Sequence, residues 1–139
     1  MLRAESGTRA AVLLAAVAAA GIAVRFAGLG VRSFWCDELL AVSIGLHDPS
    51  WIVSFVTTKD AHPPLFYLLV RGMMRLGTGE AYLRLLPAVF GALCVPAAYA
   101  FGREIRDRRT GLILAALLAV NPAHILWSRL LKSYTLFTF

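Results

Sequence analysis

Three apolar stretches, set off from one another by arginines, are each long enough to cross a lipid bilayer. They constrain the fold of this chain more than any other feature. The first covers residues 10–30 and is broken only by Arg25. The second, 85–102, lies uncharged between Arg84 and Arg103, and the third, 110–128, lies uncharged between Arg109 and Arg129. As a helix the first would extend about 31 Å, close to the ~30 Å hydrocarbon core of a membrane. A chain of 139 residues would ordinarily be one soluble domain, but 59% of these residues are hydrophobic and 16% charged. Soluble domains run nearer ~45–50% and ~25%, and a chain this short has too little interior to hide the excess from water. Soluble, disordered and coiled-coil classes are excluded, and an all-α integral membrane fold is expected.

The net charge of +6 does not point to nucleic acid, because the bases lie between the apolar blocks, where they mark membrane sidedness. Arg103, Arg106, Arg108 and Arg109 outweigh Glu104 and Asp107 and place that loop in the cytoplasm. Arg3 and Arg9 place the N-terminus there too. Two points on one side need an even number of crossings between them. Residues 31–84 are therefore expected to form one extracytoplasmic loop, with the third span returning to the outer face near His124 and Arg129. The first stretch also resembles a secretory signal, with Ala18, Ala20 and Gly21 near a cleavage site. Its apolar run exceeds the usual ~7–15 residue core, so a retained helix is expected.

Residues 64–76 are too short to span. Leu65, Leu68, Leu69, Gly72, Met73 and Leu76 fall on one helical stripe, with Tyr67, Arg71 and Arg75 four apart on the other side. This pattern predicts an amphipathic helix lying along the membrane interface. The final run, 133–139, is seven residues long and too short to act alone; the chain is expected to continue into further helices.

The unusual polar residues gather on the outer side: Asp37 and Glu38; Asp60 and His62 before Pro63 and Pro64; and His124, Arg129, Lys132 and Tyr134. Adjacent residues on a helix point about 100° apart, so Asp37 and Glu38 do not share a face. One of them is able to face a cavity while the other caps a helix N-terminus. A plain capping pair in a surface loop is the alternative. Pro63 and Pro64 hold His62 extended at the mouth of the next helix, with Asp60 two residues away; a simple helix-starting turn is the other reading. Arg71, Arg75, Arg129 and Lys132 are suited to lipid phosphate or to snorkelling toward headgroups. His47, His62, His124, Cys36 and Cys94 show no metal-ligand or redox spacing, and no metal site is expected.

The run from Arg25 through Trp35, Asp37 and Glu38 resembles the end of the first helix and the Asp-Glu loop of GT-C glycosyltransferases, in particular glycosyltransferase family 39 with its protein O-mannosyltransferases. Asp60-Ala61-His62-Pro63-Pro64-Leu65-Phe66-Tyr67-Leu68-Leu69 is similar to that family's D-x-H-P-P-L-x-Y-x-L signature. Arg84-Leu85-Leu86-Pro87 resembles its R-L-P-S, Gly102-Arg103 with Arg108, Arg109 and Gly111 its first cytoplasmic turn, and Asn121 to Tyr134 its S-P-F-H and S-Q-E-A-R-M-Y segments. Three positions depart: Leu130 stands where the family has glutamate, Lys132 where it has arginine, and Ala41 replaces a common serine.

The resemblance implies that the chain is the N-terminal part of a GT-C transmembrane domain: about three spans plus an interfacial helix. It implies transfer of a sugar from a polyprenyl-phosphate donor to an acceptor hydroxyl on the extracytoplasmic face of the cell membrane. Asp37 would be the general base, Glu38 would orient it or the acceptor, and His62 would contact donor phosphate. Asp60, Arg129, Lys132 and Tyr134 would complete the substrate-binding set. Membrane lipids, the lipid-linked donor and the C-terminal helices of the same protein are the implied partners, and the isolated segment is expected to be inactive. The alternative is a non-catalytic polytopic membrane protein or scaffold derived from this family.

Overall fold

The computed structural model describes residues 2–59 and 62–139, with side chains from residue 12 onward. Among these the chain is helical, without a strand. Helix α1 (Leu2–Phe26) is rich in alanine, the best helix former. It stops before Gly28, whose φ of 70° lies in the left-handed region that glycine enters without strain. Helices α6 (Leu85–Ile105) and α7 (Arg108–Val120) form the closest pair in the fold. Their contact depends on two glycines: a Cβ on Gly102 would lie 2.8 Å from Gly111 Cα, and one on Gly111 would lie 2.5 Å from the Tyr99 carbonyl oxygen. Small residues allow this approach where lipid gives no hydrophobic drive to association. Asp107 starts α7 by accepting the Thr110 N–H at 2.8 Å. Leu14 and Val17 of α1 pack on Val95, Ala115 and Ala119, so these three helices share a core.

The segment Glu80–Ile105 is long and apolar enough to cross a membrane. The expected helix over 110–128 is instead in two pieces, α7 and α8 (Pro122–Ser128), bent by 63°. Pro122 has no N–H to continue the ladder and disfavours a helical residue before it, so Asn121 sits at φ −64°, ψ 115°. The Asn121 side chain then caps α8 by accepting the His124 N–H at 3.0 Å. The terminal run forms α9 (Tyr134–Thr138), which packs on α6; Thr135 Oγ1 donates to the Pro87 carbonyl at 3.0 Å.

Between α1 and α6 the chain folds as a helical layer of α2 (Cys36–Gly45), α3 (Pro49–Lys59), α4 (Pro64–Met74) and the single turn α5 (Glu80–Leu83). Its core holds Ala41, Ile44, Ile52, Val56, Phe66, Val70 and Leu83, and Leu131 reaches in from beyond α8. The face that α4 buries is not the leucine stripe. Phe66, Tyr67 and Val70 turn inward, whereas Leu65 and Leu76 are 55% and 84% exposed. Phe66, Tyr67 and Val70 fill the layer's core, Leu68 and Met73 pack partly against it, and Leu65 stays outward. Arg71 also turns inward. It donates to the carbonyls of Leu46 and His47 at the C-terminus of α2 and pairs with Asp48 at 3.3 Å.

Candidate functional site

The loop between α1 and α2 is held by a buried ion pair. Trp35 precedes α2 as its N-cap, so Glu38 is the third helical residue, and its carboxylate turns back to accept the Trp35 N–H at 3.0 Å. Glu38 is only 1% exposed. Arg84 donates to it through Nε (2.8 Å to Oε1) and Nη2 (2.7 Å to Oε2), and the Leu131 N–H donates to Oε1 at 2.8 Å. The rest of the Arg84 guanidinium donates to the carbonyls of Leu29, Arg32 and Ser33 at 2.6–3.1 Å, and its face lies 5.2 Å from the Phe34 ring centroid. Burial pushes the Glu38 carboxyl up, but hydrogen bonds from Arg84, Trp35 and Leu131 outweigh it and hold the group below the usual glutamate range. One carboxylate thereby ties together the loop, the start of α6 and the segment after α8.

Asp37, one residue earlier, points the other way. Its side chain is 66% exposed and meets Lys132 Nζ at 3.6 Å. The two stand on the wall of an open cleft of about 980 Å³ between the loop and α8. Arg32, Arg129, Trp35, Trp127, Leu130 and Tyr134 also line it. The Arg129 guanidinium lies against Gly28; a Cβ there would be 3.2 Å from Nη2. Besides the Arg84–Glu38 pair, the cleft presents Arg32, Arg129, Lys132 and the exposed Asp37 carboxylate beside aromatic rings. The position where the family resemblance calls for a second acid is the apolar Leu130.

Of the sequence-derived site residues, Asp37, Glu38, Arg129, Lys132 and Tyr134 come together around this cleft. His62 does not line it and approaches through Tyr134, with ring centroids 6.0 Å apart. Tyr134 is in turn 5.6 Å from the Trp127 ring. Asp60 lies outside the described residues. Sequence reasoning missed the two arginines that organise the site. Arg84 figured only as the border of a span and as part of a motif. Arg25, fully buried, figured only as a break in the first stretch and as the start of a motif. The signal was available: a charge inside an apolar run is costly in lipid and persists when it has partners.

Among the described residues the chain is all-α, and its cleft is lined by cationic and aromatic side chains. Residues 61–139, more than half of the chain, match the family described as dolichyl-phosphate-mannose-protein mannosyltransferase, and the chain belongs to that family. The family is membrane-associated and its enzymes act on lipid-linked sugar donors. No curated protein and no solved structure matches the chain. The matched segment begins after the Asp37–Glu38 loop. Its own Arg84, Leu131 and Lys132 are the groups that grip that loop.

Proposed function

We propose that this chain carries the acceptor-activating part of a membrane glycosyltransferase that moves a sugar from a polyprenyl-phosphate donor to an acceptor hydroxyl on the extracytoplasmic face. The observation that carries the reading is the Asp37–Lys132 pair, 3.6 Å apart on the wall of the cleft. Asp37 takes the proton of the acceptor hydroxyl as its oxygen bonds to the sugar's anomeric carbon. The bond from that carbon to the phosphate oxygen breaks, and the departing phosphate keeps the electron pair. Lys132, Arg129 and Arg32 are the cations available to stabilise it. A phosphate drawn to Lys132 competes with Asp37 for the ammonium and leaves the carboxylate free to act as base. Glu38 is a positioning residue, since Arg84 and two backbone N–H groups use both its oxygens. His62 extends the binding surface beside Tyr134, and Asp60 is assigned to substrate binding from the sequence motif alone.

The proposal includes the topology: three crossings near 10–30, 85–102 and the bent 110–128 segment, with 31–84 outside and α4 in the interface. The outward Leu65 of α4, with Leu76 just beyond the helix end, supports contact with lipid. In the full-length protein, Asp37→Asn is expected to lower sugar transfer by about 10²–10⁴-fold while donor binding persists. Turnover within a few-fold of wild type would remove the catalytic assignment and leave the fold untouched.

A further inference from the structure

The deepest charge in the described chain is not in the cleft. Arg25 lies in the last turn of α1 with no exposed surface. Its Nη1 donates to the carbonyls of Gly21 (3.0 Å) and Ala119 (3.1 Å), and its Nη2 to the Leu118 carbonyl (3.0 Å) and His124 Nδ1 (2.9 Å). Three of these four acceptors flank the break between α7 and α8. In an unbroken helix the Leu118 carbonyl would accept from the N–H four residues on, but that residue is Pro122, which has none. The Asn121 N–H covers the carbonyl only at 3.4 Å. Arg25 supplies the donor that proline removes, places its charge at the negative end of α7, and holds the first turn of α8 through His124. A short segment leads from α8 to Leu131 and Lys132, the partners of Glu38 and Asp37.

We infer that Arg25 is a positioning residue: it fixes the 63° bend between α7 and α8 and thereby sets Lys132 opposite Asp37. For the chemistry this rests on the glycosyltransferase reading; for the geometry it does not. Arg25→Met keeps an unbranched stem as far as the position of Nε and removes every donor. Adding Pro122→Ala restores an N–H for the Leu118 carbonyl and lets residue 121 become helical, so the double variant regains its backbone bonding without the bend. Spin labels at Ser43→Cys and Leu126→Cys, in a Cys36→Ser background of the full-length protein in nanodiscs, read the geometry directly. Swinging the five residues from Asn121 to Leu126 through 63° moves the second label by about 7 Å.

The expected result is a displaced distance distribution in the double variant, with thermal stability returned toward wild type. Its kcat should stay about 10²-fold down, because stability alone does not restore alignment of the reacting groups. A distance distribution in Arg25→Met, with Pro122 intact, that superimposes on wild type would overturn the inference, whatever the double variant shows. So would a double variant with wild-type kcat. If the wild-type protein transfers no sugar, the enzymatic reading fails, and the distance measurement still decides the role of Arg25.

Discussion

Glu38→Gln is a conservative change on paper and a severe one in this structure. Each carboxylate oxygen accepts two hydrogen bonds: Oε1 from Arg84 Nε and the Leu131 N–H, Oε2 from Arg84 Nη2 and the Trp35 N–H. A glutamine amide has one oxygen. Whichever way it turns, its NH₂ faces two donors, two bonds are lost and the Arg84 charge stays buried without its counter-ion. Removing one partner of a buried pair costs about 3–5 kcal/mol. The three carbonyls that Arg84 retains place the expected loss near the lower end, about 3 kcal/mol. The buried thiol of Cys94 reports it, because that sulfur lies under α9, 3.8 Å from the Thr135 carbonyl. In a Cys36→Ser background, reaction of Cys94 with a thiol reagent through transient opening should accelerate about 10²-fold. The pH dependence supplies a second arm. The folded Glu38 carboxyl lies below its unfolded value, so its stabilisation is complete above that unfolded value, ~4.3, and is lost as pH falls through the lower folded one. This component of the acid limb should vanish in the variant. An acceleration below about fivefold, or an unchanged acid limb, would refute the clamp.

Gly91→Ala should be poorly tolerated, since its Cβ would fall 2.1 Å from Ser128 Oγ; a loss of about 1–3 kcal/mol in chemical denaturation is expected. Leu131→Ala should cost about 2–5 kcal/mol by the same method, because its side chain is fully buried in the core of the helical layer. Cysteines introduced at Asp48 and Asp107 should differ in labelling by an impermeant reagent on intact cells, with position 48 reactive and position 107 protected. The reverse pattern would invert the proposed topology.

Periodicity and apolar run length made the helices legible, and the motif spacing made the cleft's contributors legible, because both depend on local chain geometry. The split roles of Asp37 and Glu38 follow from the angle between neighbours on a helix, one facing the cleft and the other capping. The buried face of α4 was not legible: Leu65 and Phe66 are comparably apolar, and only the shape of the facing core selects the ring. The break at Pro122 was signalled by the proline itself. Its amplitude depends on Arg25, whose partners lie more than ninety residues away in sequence. No local pattern encodes such a contact.

The arginines of this chain divide by what they find at the end of a helix. Arg25 meets the carbonyls that close α7, Arg71 those that close α2, and Arg84 those of the turn after α1. In each case the guanidinium spreads several donors over backbone carbonyls, buried for Arg25 and Arg84 and nearer the surface for Arg71. A lysine ammonium, a compact charge without a planar fork, would not cover the same set. Arg84 borders the cleft with its charge taken up by Glu38, whereas Arg32, Arg129 and Lys132 also line it without a buried carboxylate partner. The separation has a functional consequence. Arg25, Arg71 and Arg84 have their charges already committed to backbone or to Glu38 and Asp48. An anionic ligand entering the cleft would meet Arg32, Arg129 and Lys132, the last of them 3.6 Å from the exposed Asp37 carboxylate.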